Sequence, residues 1–253
     1  MTTVVQPSFI APALYLVITV ISCILALVGT GVMRRITIRY GIADHPNERR
    51  INTVPVPRAG GFAVAIVFAI TAATLMLLAP ALGINTGASA TRILTVQGPA
   101  LILGTLVAAI LGLIDDRYDL RARWQLLTQI AVALVPIAFG MRILFIANPL
   151  GEGILLLPDA LGTALTIFWL LGMQNSMNFI DGLDGLSGGI ALIAAVTLGL
   201  IAAPTTPLLA GLCFALAGSL AGFLRFNFHP ASIYMGTSGI QAVAFILAML
   251  AML

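Results

Sequence analysis

Five of the nine acidic residues of this chain lie in two short islands inside otherwise apolar sequence. The first acidic island, residues 114–119, reads IDDRYD, and the second, residues 175–186, reads NSMNFIDGLDGL. Carboxylates next to lipid are unfavourable, so they are rarely placed there without a binding or catalytic task. Both islands adjoin apolar runs of membrane-spanning length, and together they indicate a bound cation and a phosphorylated substrate.

The first acidic island contains Asp115, Asp116 and Asp119. On a helix, Asp115 and Asp119 would share a face, while Asp116 would point about a quarter-turn away. Three carboxylates this close repel one another and stay ionised only near a cation or cationic side chains. The cationic side chains close in sequence are Arg117, Arg121 and Arg123. These can neutralise the island instead of a metal ion, and a solvated, charged loop end is the default explanation for such a motif on its own.

The second acidic island is more specific. Asn175, Asn178, Asp181 and Asp184 recur every three residues, which on a helix would align oxygen ligands along a drifting stripe. Amide and carboxylate oxygens suit Mg²⁺, with Mn²⁺ as the alternative, rather than zinc. The glycines of this region permit a close approach of backbone to a ligand. Glycines that serve only helix packing are the alternative, but packing does not account for four polar oxygen donors.

Two further stretches carry polar groups. The loop 44–61 contains Arg49, Arg50 and Arg58, which can hold phosphates, and its glycine pair leaves backbone N–H groups able to face an anion. A role as positive-inside topology signals explains these arginines about as well as phosphate binding does. Residues 226–231 read FNFHPA and residues 235–239 read MGTSG. A lone His beside Pro is more often a hydrogen-bonded loop residue than a ligand or base.

The composition is that of a polytopic membrane protein. Hydrophobic residues make up 60% of the chain, charged residues 8%, and the mean hydropathy is +1.10, whereas a soluble domain is about a quarter charged. The net charge is +3 and all basic residues are Arg, so nothing indicates a nucleic-acid partner. Cys23 and Cys213 both fall in apolar runs, which predicts two small buried side chains rather than a disulfide.

The elements that must position the islands are membrane helices, since a spanning helix needs roughly 20 apolar residues. The sequence predicts an all-α, polytopic membrane bundle of about eight spans in a single domain, 1–253. The predicted spans are 9–33, 60–81, 96–114, 124–141, 160–177, 187–203, 206–224 and 238–253. Between the fourth and fifth spans, residues 143–147 and 153–157 flank Asn148-Pro149-Leu150-Gly151, which predicts a short β-hairpin outside the membrane.

The arginines predict the orientation. Ten of them fall in the loops and span ends of one side, and only Arg92 and Arg142 fall on the other. By the positive-inside rule the first side is cytoplasmic and the N-terminus lies outside. Both acidic islands are then at the cytoplasmic face.

Taken in order, these four stretches resemble the polyprenyl-phosphate N-acetylhexosamine-1-phosphate transferases over nearly the whole chain. The second acidic island is close to that family's NxxNxxDGxDGL signature. The first loop, with PNER at 46–49 and PRAGG at 57–61, is more similar to the N-acetylglucosamine-1-phosphate branch than to the muramoyl-pentapeptide branch.

The resemblance implies a fold, a reaction and roles for residues. A lipid phosphate, undecaprenyl phosphate in bacteria, would attack the β-phosphate of a UDP-sugar at the cytoplasmic face of the inner membrane, giving a diphosphate-linked lipid sugar and UMP. This product would initiate cell-wall or surface-polysaccharide synthesis. Mg²⁺ would neutralise the diphosphate. A homodimer is left open.

The residue roles implied by the resemblance fall into three groups. The catalytic group is Asp115, Asp116 and Asp119, and the metal group is Asn178, Asp181 and Thr237. The substrate-binding group is Asn47, Arg49, Arg50, Arg58, Asn175, Asp184, Asn227 and His229.

Two departures from the family pattern predict weak or no activity. The family usually has Asp, a metal ligand, at the position of Thr237, and a hydroxyl is a poorer Mg²⁺ donor. The family also continues with two further spans and a His-rich loop, which this chain is expected to lack.

Two alternatives to a working enzyme are carried forward. One is a non-catalytic relative that binds polyprenyl phosphate or partner enzymes. The other, a proton-coupled transporter, is disfavoured, because it would need carboxylates near mid-span, whereas all five island carboxylates are expected at the cytoplasmic ends of spans.

Overall fold

The computed structural model describes residues 10–44, 55–84, 88–148 and 151–253, and this part of the chain is mainly helical. A π-helical turn, Ile93–Gln97, joins α3 to α4. The helices are α1 Ile10–Tyr40, α2 Gly60–Leu78, α3 Ala88–Arg92, α4 Gly98–Tyr118, α5 Ala122–Ala138, α6 Asp159–Ile180, α7 Leu186–Ala202, α8 Pro207–Asn227 and α9 Gly236–Leu250.

Each of the eight predicted spans coincides with one of the longer helices, which confirms the predicted fold class. Four helical stretches are long and apolar enough by themselves to cross a membrane: Pro12–Tyr40, Gly60–Leu78, Ala88–Tyr118 and Pro207–Asn227. The chain is therefore a multi-pass membrane protein. Helix ends differ from the prediction where polar residues continue a helix, so that α4 runs to Tyr118 and includes both Asp115 and Asp116.

The last helix, α9, is the centre of the bundle. It is apolar on all sides, and every residue of it except Thr237 is buried, as expected for a helix surrounded by protein. Glycines allow its neighbours to approach closely: a side chain at Gly112 of α4 would meet the backbone of Ser238, and one at Gly61 of α2 would meet Gly239. The predicted short last span is thus mainly in contact with other helices.

Two short antiparallel sheets lie at opposite ends of the bundle. At the end that holds the acidic islands, β1 (Ala43–Asp44) pairs with β2 (Val56–Pro57). At the other end, β3 (Phe145–Ala147) pairs with β4 (Ile154–Leu156), with Phe145 opposite Leu156 and Ala147 opposite Ile154. The second pair is the hairpin that the sequence predicts.

The cysteines follow the prediction in part. Cys23 and Cys213 are both free thiols, and Cys213 is fully buried in the apolar core, but Cys23 is only half-buried.

Candidate functional site

Asp116 connects the first acidic island to the start of α9. It lies in the last turn of α4, is buried, and accepts hydrogen bonds from the backbone N–H groups of Thr237 (2.8 Å) and Ser238 (3.0 Å). Free N–H groups and the helix dipole make a helix N-terminus favourable for an anion. Gly236 makes this contact possible, because its φ is +73° and an added Cβ would lie 2.7 Å from an Asp116 oxygen.

Arg58, which follows β2, links three acidic residues from different elements. Its Nη1 donates to Asp119 Oδ1 at 3.0 Å, and its Nε lies 3.8 Å from Asp44 Oδ1 and 3.9 Å from Asp116 Oδ1. The guanidinium is mostly buried, so solvent screens these contacts less than it would on a free surface.

Asp115 faces away from Asp116, towards the start of α5. Its Oδ1 accepts hydrogen bonds from the backbone N–H of Leu120 (3.0 Å) and from Gln125 Nε2 (3.1 Å), and the same amide reaches Oδ2 at 3.2 Å. The prediction that Asp115 and Asp119 share a helical face is wrong. The helix ends at Tyr118, and Asp119 has a left-handed backbone with φ of +47°, so its side chain leaves the helical period.

The second acidic island is divided by the end of α6 at Ile180. Asn175 lies inside the helix and exchanges hydrogen bonds with Gln129 of α5, donating to its Oε1 at 3.0 Å. Asn178 is exposed one turn later, and Asp181 and Asp184 lie in the following loop. The predicted stripe of four oxygen donors on one helix is therefore wrong, because helical geometry stops before the two carboxylates.

Asp181 is the most perturbed acid of the loop that follows α6. Ser187, in the first turn of α7, donates a hydrogen bond to Asp181 Oδ1. Burial raises the pKa of Asp181 to about 6, the Ser187 hydroxyl opposes this rise, and the negative charge of Asp116 adds to it. Arg58 lowers the pKa and Asp184 raises it, so both acidic islands and Arg58 act on one carboxyl group.

Asp184 and Asn227 hold the two polar loops together. Asp184 Oδ2 lies 2.9 Å from His229 Nδ1 and accepts the backbone N–H of Ala231 at 3.0 Å. Asn227 is buried, accepts the N–H of Gly185 at 3.1 Å and donates to the carbonyl of Ile233 at 3.0 Å. His229 itself is exposed.

The structure thus brings together part of the predicted site. We call a set of five carboxylates the acidic cluster. Arg58 pairs with the first three of them and acts electrostatically on the fourth, and the fifth acts on the fourth: Asp44, Asp116, Asp119, Asp181 and Asp184. Thr237 belongs at its edge through its backbone N–H. Asn175 lies apart from the acidic cluster, hydrogen-bonded to Gln129 between α6 and α5. Within the described residues, Arg58 rather than the predicted Arg117, Arg121 and Arg123 pairs with the first acidic island. Asn47, Arg49 and Arg50 lie outside the described residues.

Sequence reasoning missed three residues of this region. Asp44 contacts Arg58 from the start of the first loop, Gln125 fixes the carboxylate of Asp115, and Ser187 donates to Asp181. Gln125 and Ser187 are detectable only as polar residues in the first turn of an otherwise apolar helix, a weak signal. Asp44 was visible as one of the few acids, but it lies outside both islands.

The comparison with known proteins agrees with this geometry. The sequence model described as glycosyl transferase family 4 matches residues 99–253, which include both acidic islands and α9. The chain belongs to glycosyl transferase family 4. The family match begins at the start of α4, so α1, α2 and Arg58 lie before it.

Two relatives match this family 4 member over most of its length. A Bacillus subtilis protein described as a probable undecaprenyl-phosphate N-acetylglucosaminyl 1-phosphate transferase is 32% identical over 237 residues, which is 92% of this chain and 61% of the relative. A decaprenyl-phosphate N-acetylglucosaminephosphotransferase of Mycolicibacterium smegmatis is 35% identical over 239 residues, 89% of this chain and 56% of the relative. The chain thus spans a little over half the length of these relatives.

A more distant branch matches only in part. A phospho-N-acetylmuramoyl-pentapeptide-transferase of Trichormus variabilis is 46% identical over 86 residues, 34% of this chain and 23% of the relative. The greater coverage by the N-acetylglucosamine relatives confirms the resemblance found in the first loop.

Proposed function

We propose that this chain transfers a sugar 1-phosphate, N-acetylglucosamine 1-phosphate, from a UDP-sugar to undecaprenyl phosphate. An oxygen of the lipid phosphate attacks the β-phosphorus of the donor, the bond from that phosphorus to the oxygen bridging to the α-phosphate breaks, and UMP leaves. The observation that carries the proposal is the acidic cluster around Arg58, at one end of the helical bundle of a family 4 member. The names of the two relatives matched over most of the chain support the choice of donor and acceptor.

The acidic cluster fits Mg²⁺, with Mn²⁺ as the alternative. Asp116 raises the pKa of Asp181 by repulsion, and a divalent cation would relieve that repulsion. Among the described residues no group of three or more His, Cys, Asp or Glu side chains is placed so that it could hold a metal ion, but Mg²⁺ usually takes one or two carboxylates together with substrate phosphates. Asp181 and Asn178 would hold the ion, which supplies Lewis-acid stabilisation of the diphosphate.

A groove next to Asp115 supports a lipid acceptor. It lies between α4 and α5, has a volume of about 340 Å³, and is lined by Leu111, Leu120, Trp124, Leu127, Thr128 and Ala131. Gln125 lies on the same helix and orients the carboxylate of Asp115. A prenyl chain in this groove would leave its phosphate near the first acidic island, within reach of Asp115 and Asp119 as the proposed catalytic residues.

The proposed active site faces the cytoplasm, at the inner membrane of a bacterial cell. The arginine asymmetry supports this orientation. The test is labelling of single cysteines in intact cells at three exposed positions: Tyr118→Cys and Leu183→Cys at the site end, and Glu152→Cys at the opposite end. We expect an impermeant reagent to label only position 152, and labelling of 118 or 183 from outside would contradict the orientation.

The activity is tested with the purified chain in lipid nanodiscs that contain undecaprenyl phosphate. We expect weak, Mg²⁺-dependent release of UMP from UDP-N-acetylglucosamine, lost in Asp181→Asn. The matched control is Asp159→Asn, an exposed carboxylate that pairs with Arg142 at the opposite end. UMP release that survives Asp181→Asn would contradict the proposed site. The mass of the purified protein in detergent tests whether the chain forms a homodimer.

A second function, binding without catalysis, is favoured by one specific observation. Thr237, a neutral side chain where the family resemblance expects a carboxylate, lies at the start of α9, and both oxygens of Asp116 already accept backbone hydrogen bonds there. Fewer free carboxylate oxygens would weaken Mg²⁺ binding. Saturable binding of undecaprenyl phosphate with no release of UMP, at any Mg²⁺ concentration, would favour this alternative.

A further inference from the structure

The β3–β4 hairpin, at the end of the bundle away from the acidic cluster, has an unusual surface. In its register Phe145, Ile154 and Leu156 lie on one face, and they are 54%, 59% and 77% exposed. The other face carries Ile146 and Leu155, which are less exposed. Exposed contiguous apolar surface on a soluble loop would be unfavourable, so a hairpin of this kind indicates a contact.

Charge is nearly absent from this hairpin. Between Arg142 and Asp159 the only charged residue is Glu152, in the turn. Arg142 and Asp159 form an ion pair of 2.8 Å at the base of the hairpin, where α6 begins. The hairpin is therefore apolar along its length, with the ion pair at its base and Glu152 in its turn.

The β3–β4 hairpin cannot lie in the hydrocarbon core. In the described part of the chain β3 and β4 pair only with each other, so the outer edge of each strand has backbone N–H and C=O groups that need water or headgroups. Its base is attached to the first turns of α6, because Arg142 pairs with Asp159 at the start of that helix and the N–H of Ile143 donates to Thr166 Oγ1, two turns further on, at 2.9 Å. An apolar face with polar edges, held at the end of spanning helices, fits the boundary between headgroups and acyl chains.

Apolar side chains are also exposed on the helices that flank the hairpin in the chain. They are Phe139 at the end of α5 and Leu161 in the first turn of α6. By contrast, the face is too small for a stable protein interface. Its three exposed side chains present on the order of 350 Å², well below the ~800 Å² per partner of a standard complex.

We propose that the β3–β4 hairpin lies flat on the bilayer, with Phe145, Ile154 and Leu156 inserted into the headgroup and acyl boundary of the leaflet opposite the acidic cluster. The hairpin thereby fixes the height of the start of α6, the helix that carries Asn175 and Asn178 and ends beside Asp181. This inference concerns a lipid contact and does not depend on the transferase reaction.

Spin labels at single cysteines test the proposal in vesicles of phosphatidylethanolamine and phosphatidylglycerol. The full chain carries Cys23→Ala and Cys213→Ala, with labels at Ile154→Cys or Leu156→Cys on the inserted face and at Leu155→Cys on the other face. The matched control is Glu152→Cys in the turn. Collision with oxygen, which concentrates in lipid, is compared with collision with a water-soluble nickel complex.

We expect labels at 154 and 156 to collide mainly with oxygen and the label at 152 mainly with nickel, with position 155 intermediate. This alternation along β4 is the signature of a strand with one face in lipid. Dominant nickel collisions at 156 would place the hairpin in water and overturn the proposal. Low collision rates with both reagents at 156 would show that protein, such as a second copy of the chain, covers the face, and would also overturn it.

Discussion

The two acidic islands contain the same residue type at the same end of the bundle, but the structure uses them differently. In the first, both carboxylate oxygens of Asp115 and both of Asp116 accept hydrogen bonds from backbone or side-chain amide N–H groups. In the second, Asp181 is half-buried, and in the described part of the chain the Ser187 hydroxyl is its one donor, so that desolvation, with a smaller effect of neighbouring carboxylates, raises its pKa. The difference follows from the donors that each helix end meets.

This comparison assigns different tasks to the islands. A buried carboxylate with fixed N–H donors stabilises the packing of α4 against α9, because its charge is already compensated. A buried carboxylate with few donors gains from binding a cation. We therefore expect substitution of Asp116 to affect stability and substitution of Asp181 to affect Mg²⁺ binding.

The largest effect is expected for Asp116→Ala. It removes the acceptor of two buried N–H groups at the start of α9, and we expect a loss of about 3 kcal/mol in unfolding free energy. The measurement is the midpoint of detergent-induced unfolding in mixed micelles. The control is Asp119→Ala, which is 82% exposed and should cost less than about 1 kcal/mol. Equal midpoints for the two variants would show that the hydrogen bonds from the start of α9 to Asp116 do not stabilise the fold.

A second test addresses the geometry that lets Asp116 approach α9. Gly236→Ala adds a Cβ to a residue with φ of +73° and places it against the Asp116 carboxylate, so we expect a loss of about 2 kcal/mol in the same assay. Gly41→Ala is the matched control, since Gly41 has φ of +66° and no neighbour within 4 Å of an added Cβ. It should show only backbone strain, about 1 kcal/mol. A smaller loss at 236 than at 41 would contradict the close contact.

The raised pKa of Asp181 gives opposite pH dependences for stability and for metal binding. Because its folded pKa is about 6, above the unfolded value, its contribution to metal-free stability is full below about pH 4 and is lost as pH rises through about 6. Mg²⁺ needs the ionised carboxylate, so we expect roughly tenfold weaker binding at pH 5 than at pH 7.5.

Thermal shift with Mg²⁺ and UDP-N-acetylglucosamine measures both trends, and Asp181→Asn should abolish both. Binding that is unchanged between pH 5 and pH 7.5 in the parent protein would exclude Asp181 as the ligand.

A smaller gain is expected for Thr237→Asp. A carboxylate at the edge of the acidic cluster adds a charged ligand, so Mg²⁺ affinity should rise by about threefold or more. Without Mg²⁺ the same change adds repulsion near Asp116 and Asp181, and the melting temperature should fall. Thr237→Asn, which adds a neutral oxygen, is the control. A melting temperature that falls equally with and without Mg²⁺ would argue against a metal at this position.

The smallest effect separates the two asparagines of the second island. Asn175→Leu breaks the amide pair with Gln129 and should cost about 0.6 kcal/mol of stability, with unchanged Mg²⁺ binding. The exposed Asn178→Leu should leave stability unchanged and weaken Mg²⁺ binding. If Asn175→Leu instead abolishes binding of the UDP-sugar, its predicted role in substrate binding prevails over its role between helices.

Much of the fold follows from local sequence. The eight spans, the β3–β4 hairpin and the free cysteines were all predicted, because apolar length and turn residues act over short stretches of chain. Part of the predicted set of site residues lies together at one end of the bundle: Asp116, Asp181, Asp184 and Arg58. Where prediction failed, as for the helical stripe through the second island, the cause was the assumption that helical geometry continues to Asp184, whereas α6 ends at Ile180.

Other features could not be read from local patterns. The reciprocal pair of Asn175 and Gln129 joins two helices 46 positions apart in the chain, and nothing in either segment indicates the other. The same holds for Asp44 and Ser187, whose partners come from other elements.

By itself, then, the sequence determined the membrane class, the number of long helices and the end of the bundle where charge collects, since these depend on composition and on the 1.5 Å rise of a helix. Only the tertiary structure decided which carboxylate meets which donor. It brought the N-terminus of α9 to Asp116, 121 positions away in the chain, and, among the described residues, gave Asp181 a single hydroxyl donor. The physical reason is that the crossing of helices sets the hydrogen-bond partners of a buried carboxylate. Small residues such as Gly112 and Gly61 permit this close crossing, but their presence in the sequence does not predict which helices cross.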